Sequence, residues 1–506
     1  MLPNFRKFKS MTVKSGILSK PVLDKIHQRL GVGGYRDSDG TRDQSLSLLQ
    51  HTGDHVWVWS SLSQEILVTG SAELQTIRLD TCPDHDVTCL TVTRSGLWAA
   101  VWGPAGVTVL QCPPRAGGRI GGGKETLTAR SISLQVDSEV QSVSWHPGSA
   151  AECHLVILTR SGVITLYNVS QIDDRMEILS CQVTQSSPSK VSTALGEVPV
   201  DFCFSNQPGE AGAWPMFVLL ANNDVYCVDA SLQQESWSVE GPLEIRPPLD
   251  DNYSDGEACS VCYVGGVLAI ATVQGVIYHG IVLGGDTTSL HMYERVELEL
   301  GVVTSHDDVF SCPVQLVPHH TMLQCQPGYL ASHPAGLHNV HLPMVTVLKH
   351  ADTDTPDLEA GASVVEHLIC TRPTSSAPPA PVLGACLAWP PCTVLCLMSS
   401  NTVTCLQLPS LAQQSADSIL ECQSSDDSVT RHQADTQLMS LLTRKCSQPL
   451  IMSSASTDLS PAVTLELLSS ATQTLSREYI ARLQVGDSYQ LLPLKSVYCD
   501  TNKLSR

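Results

Sequence analysis

The sequence predicts an all-β fold, a seven-bladed β-propeller with a short α-helical C-terminal segment. Three observations carry that reading. In Val140–Val169, Val140, Ser142 and Ser144, then Leu155 and Ile157, alternate with their neighbours as half-buried strands do. His146-Pro147-Gly148 and Arg160-Ser161-Gly162 break the stretch where turns are needed, because Pro has no ladder N–H and Gly tolerates turn dihedrals. Units of this design recur at the ~50-residue spacing of propeller blades, and their middle strands are nearly all apolar. Sheets buried on both faces by their neighbours require such middle strands.

The chain has 506 residues, enough for one large repeat fold plus extras. Residues 5–30 carry Arg6, Lys7, Lys9, Lys14, Lys20, Lys25 and Arg29 against Asp24, and 1–44 reads as a flexible basic lead-in. Arginine is too scarce and amphipathicity too poor for a mitochondrial presequence. The propeller is expected over 45–410. It opens with His55–Trp59 and Glu65–Val68, and the design repeats at Val87–Cys112 and Val140–Val169. Val198–Phe204 with Met216–Asp229 follows, its hairpin turned by Asn222-Asn223-Asp224. Ala258–Leu283, a weaker histidine-rich unit at Gly328–Val347 and Val382–Leu408 complete the series. The polar inserts Pro113–Lys124, Gln182–Glu197, Gln207–Gly212, Ala351–Gly361 and Thr371–Pro381 read as surface loops. Residues 411–464 form a polar linker with a short helix. In 465–484, Leu465, Leu468, Thr472, Leu475, Tyr479 and Leu483 share one helical face. The segment 485–506 has no clear periodicity.

Composition narrows the function. A net charge of -20 excludes a nonspecific nucleic-acid surface, which needs clustered Lys and Arg, and suits basic or apolar partners. No apolar run reaches the ~18–20 residues of a membrane span. Of 19 cysteines, many sit inside apolar strands, where a free thiol behaves as a small hydrophobe. With no secretory h-region at the start, a reducing intracellular compartment is expected, and the glycosylation-like Asn168-Val169-Ser170 and Asn252-Tyr253-Ser254 read as chance matches.

Catalytic and metal chemistry find little support. Gly118–Lys124 approaches a phosphate-binding loop, but Glu125 stands where Ser or Thr would hold magnesium, and no helical pattern follows. Cys259 and Cys262 form a CxxC without a second pair, and strand alternation puts them on opposite faces. His319, His320, His333, His338 and His341 lack ligand spacing and read as loop and blade-surface histidines. No nucleophile elbow and no paired-carboxylate motif is present, so no enzyme, cofactor or metal is expected. One polar stretch is a candidate docking spot: Asp250, Asp251, Asn252 and Tyr253, two acids and an interface-favoured aromatic ahead of the fifth unit. The competing reading is a turn that caps the strand.

Several segments together resemble the nucleoporin-88 family. They are Leu155–Val169, Asp250–Val261, Val267–Leu283, Tyr293–Leu300, Phe310–Leu316, Val365–Pro373 and Glu466–Ile480, in that order, spanning about 50 to 483. The resemblance implies a non-enzymatic protein of the cytoplasmic face of the nuclear pore complex, at the nuclear envelope. It implies a propeller that docks other nucleoporins, among them the autoproteolytic domain of a phenylalanine-glycine nucleoporin. It further implies a coiled coil that assembles with two further nucleoporins. Support of messenger-RNA and ribosomal-subunit export, and of protein transport through an exportin, follows from the same likeness, with no direct nucleic-acid contact and no membrane insertion. Here Val485-Gly486-Asp487 breaks the helix and no heptads follow, so a truncated coiled coil is expected. The alternative is a cytosolic β-propeller adaptor of another trafficking or signalling complex.

Overall fold

The computed structural model describes residues 18–30 and 46–408. Outside the described residues lie 1–17, 31–45 and 409–506, and, within the strand region, 71–72, 117–118, 121–123, 172–175, 184–196, 210–211, 247–255, 284–287, 299, 301–311, 320–325, 351–361, 372–379 and 389–391. Residues 1–415 make one compact unit, to which every described residue belongs.

Helix α1 (Lys20–Leu30) comes first. The first blade is β1 (Leu49–Thr52), β2 (His55–Ser60), β3 (Glu65–Thr69) and β4 (Leu74–Leu79). The next has β5 (Cys89–Val92), β6 (Trp98–Gly103) and β7 (Gly106–Gln111); after the short β8 (Arg115–Ala116) and β9 (Arg119–Ile120) it is completed by β10 (Thr126–Leu134). Then follow β11 (Val140–Trp145), β12 (His154–Thr159), β13 (Val163–Asn168) and β14 (Glu177–Gln182). After them come β15 (Pro199–Phe204), β16 (Trp214–Leu220), β17 (Val225–Ala230) and β18 (Ser238–Glu240). Strand β19 (Glu244–Arg246) precedes β20 (Ala258–Val264), β21 (Val267–Thr272), β22 (Val276–Leu283) and β23 (Ser289–Glu297). The blade after that is β24 (Gln315–Pro318), β25 (Gly328–His333), β26 (Gly336–His341) and, beyond helix α2 (Pro343–His350), β27 (Val364–Cys370). The final sheet has β28 (Val382–Ala388), β29 (Thr393–Met398) and β30 (Val403–Gln407).

Within each blade sequential strands pair antiparallel, with the first strand innermost. The expected Asn222–Asp224 hairpin joins β16 to β17, with Asn223 at φ 70°. The innermost strands line one central cavity of about 2080 Å³. Two outer edges carry an added parallel strand. β10 pairs parallel with β4 and antiparallel with β7, stitching the first two blades together, and β19 pairs parallel with β23. The ring closes through the segment before β1: Leu48 N–H donates to Leu383 O at 2.9 Å, and Ser47 N–H to Thr88 O at 3.0 Å.

The apolar cores lie in the seams between blades. Leu155, Ile157 and Tyr167 pack on Trp98 and Val107 of the preceding blade. Val156, Leu158 and Ile164, from the opposite face of the same sheet, pack on Met216 and Val218 of the next. Burial on both faces is what the apolar middle strands of the sequence require.

Three expectations are corrected. Residues 20–30 of the basic lead-in are a helix: Val22, Ile26 and Leu30 recur at the helical i, i+4 spacing and are buried against the first and last blades. The last helical carbonyl, Leu30 O, accepts from Asn401 Nδ2 at 3.2 Å. The Pro113–Lys124 insert is anchored as well. Ile120 is fully buried, and the Gln75 amide donates to Ile120 O at 3.0 Å and Lys124 O at 2.7 Å. Gly118 and Gly121–Gly123 lie outside the described residues. Finally, Cys259 and Cys262 pack into one seam core, not on opposite faces, because Cys259 is the extra residue of a β-bulge between Ala258 and Ser260.

Ile26 and Lys25 are neighbours on α1, one wholly buried and one exposed. Ile26→Ala is expected to lower unfolding stability by ~2–4 kcal/mol in urea titration. Lys25→Ala should change it by less than ~0.5 kcal/mol. Equal silence at both positions would return α1 to a mobile lead-in.

Candidate interaction surfaces

The cavity wall is knit by side chains that reach from one inner strand to the next. Asp201 on β15 is the hub. Its Oδ2 accepts from Ser260 Oγ at 2.9 Å and Val261 N–H at 3.0 Å, both on β20, and its Oδ1 accepts from Phe202 N–H at 2.8 Å. Ser142 on β11 is a further partner. Burial raises the Asp201 carboxyl above its ordinary value, and these hydrogen bonds pull against that rise. Ser260 Oγ also accepts from Leu316 N–H at 3.2 Å, and the Cys259 thiol donates to Val314 O at 3.3 Å, so the chain of contacts continues to the strand after. On the opposite side Gln50 of β1 accepts from Val92 N–H at 2.6 Å and donates to Val92 O at 3.3 Å. With its acceptors taken up by structural donors, Asp201 is a staple between sheets. Sequence reading missed it; the signal was an acid at the strand position where neighbouring copies carry Ser142 and Ser260.

The seams have their own polar pins. His146, in the turn that interrupts the clearest repeat, is buried, its Nε2 3.2 Å from Ala230 O and its ring 5.1 Å from Phe204. Burial pushes this imidazole down to about 4. His279 of β22 is wholly buried between Glu294 Oε2 at 2.9 Å and the Tyr329 hydroxyl at 2.6 Å. Ser363 N–H donates to Glu294 Oε1 at 2.7 Å, which ties the approach to β27 to the preceding blade. His333, His338 and His319 are buried, contrary to their reading as loop and surface residues. Strand pairing stacks His333 on His338 with ring centroids 5.0 Å apart, and His338 on His367 at 4.2 Å. His320 lies outside the described residues. Among the described residues no group of three or more His, Cys, Asp or Glu is placed to hold a metal ion. The Cys259 thiol is pushed up to about 12 by burial, and the Cys262 thiol higher still, so both stay protonated and unreactive.

Asp250, Asp251, Asn252 and Tyr253 lie outside the described residues. Their flanks are described: Arg246 ends the strand added to the outer edge of β23, and Gly256 O accepts from Asn223 Nδ2 at 3.4 Å beside the inner strand β20. This stretch of chain therefore connects a blade's outer edge to the cavity wall. The predicted C-terminal helix, 465–484, also lies outside the described residues.

A model of the family described as Nup88, nuclear pore component, matches residues 38–488. Among solved structures, the chain is similar to a chain of the Chaetomium thermophilum heterotrimeric Nup82 NTD–Nup159 TAIL–Nup145N APD complex, with TM-score 0.57 and 12% identity over 73% of this chain and 96% of that one. It is similar also to a chain of the yeast heterotrimeric Nup82–Nup159–Nup116 nucleoporin complex, with TM-score 0.50 and 12% identity over 72% and 98%. At such identities the likeness is one of fold.

Two variants test the pins. Asp201→Ala leaves Val261 N–H and two serine hydroxyls without their acceptor, and is expected to cost ~2–4 kcal/mol in chemical denaturation, with Asp201→Asn between it and wild type. For His146 the unfolded imidazole titrates near 6.5 and the folded one near 4, so the unfolded chain binds more protons between them. Stability from this group is complete above pH 6.5 and declines as pH falls toward 4. His146→Gln should flatten that limb of the stability–pH curve; an unchanged slope would assign the acid sensitivity to other groups.

Proposed function

The chain belongs to the Nup88 nuclear pore component family, and from that premise we propose a non-catalytic scaffold that docks other nucleoporins at the cytoplasmic face of the pore. The family match is the observation that carries this reading, since it spans all the described strands. The physical role fits the fold. A closed ring of sheets holds its rim loops and outer edges in fixed relative positions, and binding to a rigid surface spends little on ordering it. A net charge of -20 favours encounter with basic partners.

The solved relatives are complexes of Nup82 with Nup159 and with Nup145N or Nup116. By analogy the partners here include a phenylalanine-glycine nucleoporin's autoproteolytic domain and coiled-coil nucleoporins, with an exportin as transport client. The downstream roles are messenger-RNA export, ribosomal-subunit export and protein import and export. Asp250–Tyr253 remains the proposed docking spot, on the strength of its two acids and its aromatic.

The test is affinity capture from cell extract with the full chain, read by mass spectrometry. Nucleoporins are expected as the dominant recovered set; a cytosolic trafficking complex in their place would favour the adaptor reading. Asp251→Lys with Tyr253→Ala should reduce nucleoporin recovery about tenfold, with the thermal midpoint moving by less than ~1 °C, as for surface changes. A large fall in midpoint would make the stretch a structural turn.

A further inference from the structure

The outer edges of the ring are treated unequally. Those of β4 and β23 are covered by the parallel strands β10 and β19. β18 is three residues long, and β14, where Ile178 is 50% exposed, also exposes the polar Glu177, Ser180 and Gln182 along its edge. β30 has α1 packed near it. Among the described residues β27 has no added strand, and Glu366 is its one residue of the Asp, Glu, Lys and Arg set. It runs seven residues as Val-Val-Glu-His-Leu-Ile-Cys, without Pro, Lys or Arg, and among the described residues no strand pairs with its outer side. Val364 is 52% exposed and Val365 37%. Long apolar edges of this kind are templates for another strand, and proteins otherwise blunt them with charge, proline or cover.

We infer that the edge of β27 is a strand-addition site for an extended segment of a partner protein with apolar residues directly flanking one central Lys or Arg. The ring itself shows that its outer edges accept a further strand, since β4 and β23 each hold one. Pairing register sets the partner's chemistry. Val364 lies opposite His341 and Glu366 opposite Asn339, so Val364 and Glu366 share one face of the sheet. The Glu366 carboxylate is held below its ordinary value by His341, at 3.5 Å, and Asn339, at 3.1 Å, and is therefore ionised at neutral pH; its side chain is 33% exposed. An incoming strand thus meets an apolar residue and then an anion on one face, and Val365 on the other. An apolar side chain next to Val364, a cation next to Glu366 and a further apolar side chain next to Val365 satisfy all three. Backbone hydrogen bonds supply affinity and these alternate side chains supply choice. The inference rests on strand geometry and charge alone, and does not depend on which assembly the ring serves.

The experiment uses the purified full chain and a fluorescein-labelled synthetic peptide, Thr-Val-Val-Lys-Val-Val-Thr, which offers both apolar neighbours in either strand direction. Binding is followed by anisotropy and by hydrogen exchange of the β27 amides. Saturable binding with slowed exchange at 364–370 is expected. A peptide with Pro in place of both valines before Lys should lose at least tenfold in affinity, since two adjacent prolines remove a ladder donor whichever residues face the edge. Val364→Lys should lose at least tenfold while its unfolding midpoint stays at the wild-type value. Glu366→Lys should reverse the charge preference, binding the peptide with Glu in place of Lys more tightly; that reversal is a readout that a general destabilisation does not produce. The proposal is overturned if the peptide fails to bind at millimolar concentration, or if Val364→Lys and the Pro peptide bind as well as their parents. It is overturned too if light scattering shows a wild-type dimer that Val364→Lys splits, since the occupant of the edge is then a second copy of the chain.

Discussion

A ring of sheets is held by the joint between its first and last members. Every other seam joins blades that are consecutive in the chain, but closure must bring residue 48 to residue 383, and the entropy of that loop is offset only when the joint forms. Here one extended segment serves both sides, since Leu48 bonds to Leu383 O while Ser47 bonds to Thr88 O and receives Leu90 N–H. Helix α1 then seals the same joint from outside, with Ile26 and Leu30 in a core that also contains Leu395 and Leu397 of the last sheet and Ile66 and Ile77 of the first. Sequence-distant residues at this joint hold the ring shut, so the joint should set both its cooperativity and its slowest folding step.

The inner wall depends on a second, repeated device. Four inner strands carry a register shift near their start, between Val140 and Ser142, Pro199 and Asp201, Ala258 and Ser260, and Val382 and Gly384. A bulge bends the strand and re-aims a side chain. At three of the four the consequence is visible in the seam: Val200 joins the core shared with the next blade, Cys259 bonds to Val314, and Leu383 O takes the closing bond from Leu48. Gly384 follows the last bulge where a Cβ would sit 2.8 Å from Leu49 N, so the first blade's backbone approaches too closely for a side chain there.

The strands were legible because double burial writes itself into composition: β12, β21 and β29 are apolar nearly throughout, and turns at Gly162, Gly275 and Asn401 follow them. What stayed hidden involves residues whose partner is remote in the chain. Val22, Ile26 and Leu30 are correctly spaced for a helix, but lysines and arginines around them read as a solvated tail, and only the seam they fill gives them a reason to be apolar. Asp201 resembles any strand acid until Ser260 and Val261, some sixty residues later, come within 3.0 Å. Bulges are invisible to strict alternation, which is why Cys259 was put on the wrong face. The reading of Asp250–Tyr253 as a docking spot rests on residue type alone, and these residues lie outside the described ones.

The seam between β22 and β25 combines apolar packing with a polar network and explains what kind of rigidity the ring has. His279, Glu294, Tyr329 and Ser363 form a connected buried network, with Tyr329 and His279 both wholly enclosed. Replacing such a network by hydrocarbon would often cost nothing in stability, but hydrocarbon slides, whereas hydrogen bonds of 2.6 to 2.9 Å between fixed partners admit one register. This network lies immediately before β27, with Ser363 as its last member. The blade that carries the β27 edge is therefore also tied to its neighbour by side-chain hydrogen bonds. For a nuclear pore scaffold that is the useful combination, because an edge can choose among partner strands only if the backbone it presents does not itself shift to meet them.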